Sequence, residues 1–211
     1  MWRVLIADDH SIVRRGVRAI LEDLSDVEVA AEADSGDAVL ELIRGKHSFD
    51  AVILDMRMPG PSGLDLIRLV KTERPALPVL VLSMHPADQY AVRVLKAGAS
   101  GYLTKESVPD HLVQALRRIL AGYRYVTPEV AELLLTGVTS PDDAPPHRRL
   151  SDREFEVLRM MADGRTVNEI AGQLSLSVKT VSTYRARVLE KLGLSTTADL
   201  IRYAVQHGLG E

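Results

Sequence analysis

Two acidic side chains, Asp8 and Asp9, end one short apolar run, and Asp55 ends another. Ser83 and Lys105 close two later ones. If these four runs are buried strands of one parallel sheet, three carboxylates, a hydroxyl and an ammonium converge at their carboxyl ends, the edge where open α/β sheets bind ligands. Carboxylates crowded in this way need a cation, and oxygen ligands of this kind suit a hard divalent ion such as Mg²⁺. With the ion in place, Asp55 is suited to accept a phosphoryl group. Taken singly, an aspartate after a strand is as readily a helix cap, Ser83 a turn residue and Lys105 a solvated charge. The joint pattern is what points to chemistry. His10 and His85 flank the pocket, but neither stands at a metal-ligand spacing from another histidine. Both are expected to be bystanders that at most tune phosphate lifetime.

The elements that must carry these groups alternate. Val4–Ala7, Val27–Ala31, Ala51–Leu54, Val79–Leu82 and Gly101–Leu103 read as short strands. Helical periodicity fills the intervals near Ile12–Leu24, Ala38–Ile43, Leu64–Lys71, Ala87–Lys96 and Val108–Leu120. Five βα units predict a mostly parallel, doubly wound sheet with helices on both faces. Strands that are apolar throughout, instead of alternating, suit a sheet covered on both sides. Thr127-Pro128 reads as a cap and first-turn proline opening a short helix through Leu135. Gly137–Pro146, with three prolines and two adjacent aspartates, reads as a linker.

From Ser151 the period is helical throughout. Ser151-x-x-Glu154 and Thr166-x-x-Glu169 are capping boxes. Gly164 and Gly193 punctuate, and Ser177 and Thr196 suit further caps. Four helices are predicted, over about 152–162, 167–174, 178–192 and 197–206. The expected division is therefore residues 1–121, a linker with a short helix over 122–147, and a small all-α domain over 148–211.

Bulk properties narrow the class. The 211 residues are 46% apolar, ample for packed cores, yet no apolar run approaches the roughly 18–20 residues that cross a bilayer. With no basic segment leading into an apolar stretch near Met1, the expected location is the cytoplasm, away from any membrane. Zero cysteines exclude disulfides, thiolate nucleophiles and cysteine-based zinc sites. The net charge of −3 divides into −2 over residues 1–121, −3 over 122–147 and +2 over 148–211. The C-terminal part is the one net basic segment, weakly so.

With these residues in view, residues 1–121 resemble the receiver domain of a two-component response regulator. The resemblance rests on Asp8-Asp9, on Asp55 within Leu-Asp-Met-Arg-Met-Pro-Gly, on Ser83, and on the run Ala97 to Lys105. It implies a flavodoxin-like (βα)5 fold and a phosphoryl group received by Asp55 from a sensor histidine kinase. It further implies that Asp9, Asp55 and the backbone carbonyl of Arg57 ligate Mg²⁺, with Asp8 acting mainly through water. Lys105 would pair with a phosphate oxygen, which is phosphoryl transfer by positioning and charge neutralisation. Ser83 and Tyr102 would form the switch: the hydroxyl follows the phosphate, and the aromatic ring turns from solvent towards the core. One departure stands out. Many receivers carry a cis proline after the lysine, whereas Glu106 follows here. A non-proline cis bond costs about 2.5–4 kcal/mol, so none is expected.

In the predicted helix 178–192, Val181, Tyr184, Val188 and Leu192 form an apolar stripe. Lys179, Ser182, Thr183, Ala186 and Arg187 lie opposite. Small, hydroxyl and basic residues on one face suit a DNA major groove, with Arg or Lys reading guanine. The helix opened by Thr166 offers amides to phosphate. Residues 150–207 resemble the LuxR-type helix-turn-helix, and the whole chain resembles the NarL/FixJ class of response regulators. The resemblance implies contacts with double-stranded DNA through Thr166, Lys179, Thr180, Ser182, Thr183, Arg185, Ala186 and Arg187. Some relatives carry lysine where Ala186 stands, so fewer base contacts are expected here. It also implies an active homodimer joined through the helix over 197–206.

Two other readings remain open at the level of sequence. An aspartate-nucleophile phosphatase of the haloacid-dehalogenase class also uses a metal and an aspartyl phosphate, but needs a second aspartate where Arg57 stands. A receiver acting as a phosphate-independent interaction module would leave its acidic pocket without a purpose.

Overall fold

A computed structural model describes residues 1–61, 63–84, 87–128, 130–132, 145–174 and 176–209, with backbone alone for 87–89. The chain divides into two compact units, Met1–Thr136 and Gly137–Glu211.

In the first unit the chain runs β1 (Trp2–Ala7), α1 (Ser11–Glu22), β2 (Val27–Ala33), α2 (Gly36–Arg44), β3 (Ala51–Asp55) and α3 (Gly63–Glu73). It continues as β4 (Val79–Ser83), α4 (Ala87–Lys96), β5 (Gly101–Thr104) and α5 (Val108–Leu120). The five strands form one parallel sheet in the order β2-β1-β3-β4-β5. This is a doubly wound order whose switch point lies between β1 and β3. β3 and β4 are buried along their whole length. Alternate residues serve opposite faces. Val4, Ile6, Ile53, Leu80, Leu82 and Leu103 meet Val17 and Leu21 of α1 and Leu112, Leu116 and Ile119 of α5. Leu5, Val52, Leu54 and Val81, equally buried, face the side left to α2, α3 and α4. The exception to apolar strands is β2, an edge strand whose burial is partial and which carries Glu28 and Glu32.

Each predicted strand and helix of this unit is present, with strands one or two residues longer at their ends. The unit also continues beyond α5. Tyr125 is buried in the same core, its N–H donates to the Ser100 carbonyl at 2.9 Å, and it bridges to Gly101. The segment 122–147, expected as a linker with a short helix, thus begins against the sheet's edge strand. Sequence patterning misses a single buried aromatic of this kind because it has no period. The cap at Thr127 is formed, its hydroxyl accepting from Val130 N–H at 3.5 Å. The predicted end of that helix at Leu135 and most of the Gly137–Pro146 linker lie outside the described residues.

One close approach positions the pocket loop. The loop after β3 lies across the start of α2, where Gly36 N–H donates to the Pro59 carbonyl at 2.9 Å. A Cβ at residue 36 would sit 1.7 Å from the Pro61 carbonyl oxygen, so only glycine fits there.

The second unit comprises α6 (Asp152–Ala162), α7 (Val167–Gln173), α8 (Val178–Leu192) and α9 (Thr197–Gln206), preceded by a 3₁₀ turn over Pro146–Arg149. Both predicted capping boxes are formed, and Thr196 with Asp199 makes a third. Phe155, Leu158, Ile170, Val181, Val188, Leu200 and Ala204 fill the core. Glu154 is buried within it. Its carboxylate accepts from Ser151 N–H at 2.7 Å and from Lys191 Nζ of α8 at 2.7 Å. Burial opposes that charge, but the Lys191 and Ser151 hydrogen bonds outweigh it and hold the carboxyl below its usual value of 4.5.

A carboxyl held below its unfolded value stabilises the fold above that value, and the contribution fades as pH falls through the folded one. Glu154→Gln, which keeps the shape and loses the ion pair, is therefore expected to cost the second unit about 1–2 kcal/mol at pH 7. The gap from wild type should close as pH drops below 4.5. Calorimetric unfolding of the full chain at several pH values checks this; a gap independent of pH would assign the loss to packing.

Candidate functional site

The parallel register brings the sequence-predicted pocket together. Ala7 pairs with Leu54, Asp55 with Leu82 and Ser83 with Thr104, so the residues that follow these strands share one rim. Asp8 and Asp55 are buried there, and Asp9 stands partly exposed at the mouth. Lys105 reaches in from the end of β5, its Nζ 2.8 Å from Asp8 Oδ2 and 2.9 Å from Asp55 Oδ2. The Lys105–Glu106 bond is trans and opens a 3₁₀ turn over Lys105–Ser107.

None of the three carboxylates caps a helix. Residue 10 is the N-cap of α1 and makes no side-chain cap bond. Asp8 Oδ1 accepts from the His10 amide at 2.8 Å, and α3 begins eight residues after Asp55. His10 is nearer the chemistry than its sequence suggests. Its Nδ1 lies 2.8 Å from Asp9 Oδ1, 3.3 Å from Asp8 Oδ1 and 3.9 Å from Asp55 Oδ2. Asp8, Asp9, His10 and Asp55 each present a ligand atom, all within 4.8 Å of one another. The signal in sequence was adjacency to the acidic pair; a search for spaced histidines overlooks it. His85 lies outside the described residues.

The electrostatics follow from burial. Desolvation is the largest influence on Asp55; the neighbouring Asp8 charge adds to it, and together they prevail over Lys105 and an Arg57 backbone hydrogen bond, so the carboxyl is pushed up to about 6. Burial also opposes the Lys105 charge, but its contacts with Asp8 and Asp55 outweigh that and hold the ammonium above its usual range. Two buried carboxylates, Asp8 and Asp55, against one ammonium, with Asp9 at the mouth, leave a negative excess. Asp8 Oδ2 is buried outside hydrogen-bond geometry with any donor and has Lys105 as its ion-pair partner. Hard oxygen donors with unspent negative charge are what a divalent cation such as Mg²⁺ requires. Receiver domains typically bind Mg²⁺ at an acidic cluster of this kind. Of the remaining predicted residues, Ser83 is buried at the end of β4, Arg57 is half-buried, and Tyr102 is 1% exposed, its ring lodged in the core.

The second unit presents a different surface. The hydroxyl of Ser177 accepts from Thr180 N–H at 3.0 Å and starts α8. Val181 and Val188 are its buried residues, while Tyr184 and Leu192 are half-buried at the margins of the stripe. Ser177, Lys179, Thr180, Thr183, Tyr184 and Arg187 line an open depression. Ala186 is exposed and Ser182 half-buried. Arg185 differs: it is half-buried, with its Nε enclosed, and does not line the depression. Thr166 is exposed at the start of α7, its hydroxyl donating to Glu169 at 2.8 Å. Ser177 and Tyr184 join this face without having been predicted there. Ser177 lies one turn before Thr180, a spacing that does signal it. Tyr184 was assigned to the core stripe because apolar periodicity does not separate its ring from its polar edge.

Comparison with known proteins agrees with both halves. Residues 4–117 match the family of response regulator receiver domains, and residues 148–204 match the bacterial regulatory proteins of the luxR family. The response regulator UvrY of Escherichia coli (strain K12) is 36% identical over 210 residues, covering 99% of this chain and 96% of that protein. The response regulator GacA of Pseudomonas protegens is 37% identical over 209 residues, covering 99% and 98%. Among solved structures, RcsB from Salmonella enterica serovar Typhimurium, bound to promoter rprA with the phosphomimetic BeF₃⁻, is 33% identical. It covers 96% of this chain and 97% of that one at a TM-score of 0.76.

Because Asp8 pushes Asp55 upwards, Asp8→Asn should lower the Asp55 titration midpoint from about 6 in metal-free protein. Carbon-detected NMR of the Asp55 carboxyl reads this directly. An unmoved or higher midpoint would overturn this attribution.

Proposed function

The chain belongs to the response-regulator family, with a receiver domain and a LuxR-type C-terminal domain, and from this premise we propose how it controls transcription: phosphorylation of Asp55 by a sensor histidine kinase governs DNA binding by the second unit. The carrying observation is the convergence of Asp8, Asp9 and Asp55 within 4.8 Å of one another at the switch point of a parallel sheet, with Lys105 in ion-pair distance of Asp8 and Asp55. A family of this kind regulates and does not turn over substrate. The phosphatase reading also lacks its second aspartate, since Arg57 occupies the position.

Asp9, Asp55 and the Arg57 carbonyl would hold Mg²⁺, with Asp8 assisting through water. When bound, the ion neutralises charge that otherwise repels an incoming phosphate. Asp55 supplies the nucleophilic oxygen: its Oδ–P bond forms as the donor's N–P bond breaks. A carboxyl titrating at about 6 is mostly ionised at neutral pH, as a nucleophile must be. Lys105 already faces Asp55 and donates to the phosphate oxygens, and Ser83 donates from β4. Tyr102 lies inward in this structure, the orientation that the resemblance associates with the switched state.

For the output, Lys179, Thr180, Ser182, Thr183, Ala186 and Arg187 of α8 meet double-stranded DNA, with Thr166 at a backbone phosphate. Arg185, half-buried with its Nε enclosed, stays among the proposed DNA contacts. RcsB has been solved on DNA, including two dimers bound to two parallel DNAs. For this chain an active homodimer through α9 is proposed, where Val205 is 65% exposed. Half-sites should then lie about 10 bp apart. A dimer also answers an energetic need. Swinging a population from 1:99 to 99:1 takes about 5.5 kcal/mol. One hydrogen bond to a charged group contributes about 1.5–3 kcal/mol. Among the described residues no helix is long and apolar enough to cross a membrane.

Two outcomes are expected. Acetyl phosphate with Mg²⁺ should tighten operator binding of wild type and leave Asp55→Asn unchanged in a mobility-shift titration. Equal tightening of both proteins would place the phosphoryl group elsewhere. Arg187→Ala should weaken binding by about 1–3 kcal/mol if the side chain reads a base, and lower the salt slope by about one if it touches phosphate. Unchanged affinity and slope would remove Arg187 from the interface.

A further inference from the structure

The acidic loop is held from β2, a strand that supplies no group to the pocket. Asp8 N–H donates to the Ala33 carbonyl of β2 at 3.1 Å. On its other side, the Asp8 carbonyl accepts from Arg14 Nη1 at 2.5 Å. The same guanidinium donates through Nε to Glu32 Oε2 of β2 at 2.7 Å. Arg14 and Glu32 are both largely covered, at 20% and 28% side-chain exposure. Glu32 is also bound by Arg18 of α1, and Arg18 in turn by Glu22. The four side chains sum to zero charge. Burial disfavours the Glu32 charge, yet hydrogen bonds from Arg18 and Arg14 outweigh it and hold its carboxyl below the usual range.

We infer that Arg14 is a positioning residue for the metal site, a charge-neutral clamp that orients the Asp8–Asp9 peptide and thereby both carboxylates. This rests on the Mg²⁺ reading above. A peptide is planar, so gripping the Asp8 carbonyl sets the direction in which the chain enters Asp9. Asp9 needs that support, because its carboxylate is partly exposed and contacts His10 alone among its ion-pair partners in the described residues. A bare cation beside a divalent site would repel the ion. Glu32 removes that penalty by pairing the guanidinium on its far side. Only arginine serves here: its rigid fork donates to a carbonyl and a carboxylate through different nitrogens, whereas the lysine ammonium is a single point.

The sign of the effect separates positioning from charge. If Arg14 acted only as a nearby positive charge, removing it would tighten Mg²⁺. If it acts by orientation, removing it weakens Mg²⁺, in the range of 10–100-fold typical for groups that orient metal ligands. The test is calorimetric titration of the full-length, unphosphorylated protein with Mg²⁺ alone, beside its unfolding temperature in chelator. Arg14→Met is expected to weaken Mg²⁺ by 10–100-fold. Arg14→Lys, which keeps charge and stem and guards against a misfolded methionine variant, should recover little of that loss. Glu32→Gln should weaken Mg²⁺ in the wild-type background and add less than about twofold in Arg14→Met, since it acts through the clamp. Tighter binding in Arg14→Met, full rescue by lysine, or a lowered unfolding temperature with unchanged Mg²⁺ affinity would each overturn the inference. No Mg²⁺ heat from wild type would defeat the metal reading, and this inference with it; wild-type binding unaltered by Arg14→Met defeats the inference alone.

Discussion

At the switch point of the sheet, the two buried carboxylates of Asp8 and Asp55 are opposed by one ammonium, with Asp9 at the mouth, and most of the surrounding architecture answers to that imbalance. Inside the protein such an arrangement is costly, because charges removed from water repel one another strongly and each must find a partner. The rise of Asp55 to about 6 is the visible sign of this cost. A folded chain bears it where neighbouring strands are rigid enough to prevent the groups from separating. β3 and β4, buried along their length between two helical layers, provide that rigidity.

Rigidity is also what connects the pocket to its surroundings. Met56 N–H donates to the Leu82 carbonyl at 3.1 Å, tying the loop after Asp55 to the strand that ends in Ser83. Ser83 and Thr104 are register partners, and Tyr102 sits two residues before Thr104 on the same strand. The end of β3 is therefore joined to β5 through neighbouring ladder rungs of β4. On the opposite flank, β2 grips the acidic loop through Ala33 and Glu32. The pocket is thus braced from both sides, on one by β2, which supplies no group to it, and on the other by β4, which ends in Ser83.

The second unit works by the reverse logic. Its core is conventional, and its helix starts are fixed by side chains that satisfy orphan amides. Three capping boxes define where α6, α7 and α9 begin, and Ser177 defines the start of α8. The phase of α8 follows from Val181 and Val188 facing inward. Lys179, Thr183 and Arg187 are then left outward, not by any attraction to one another but because the core claims the other side.

How much of this was readable without coordinates depends on range. Strand and helix types, the caps and the outward face of α8 are set by near neighbours along the chain, through apolar period and hydroxyl–carboxylate spacing, and the sequence determined them to within one or two residues. Asp8, Asp9, Asp55, Ser83 and Lys105 were also readable, because strand ends are marked locally and parallel topology brings like ends together. What waited for the tertiary structure were contacts across unrelated segments: Tyr125 filling the edge of the core, His10 turning into the carboxylate cluster, Arg185 tucking its Nε away, and Arg14 bridging Asp8 to Glu32. Each depends on how far a side chain extends and which of several equally polar groups it meets. Sequence spacing carries no record of such choices, since they are made by packing between elements and not within them.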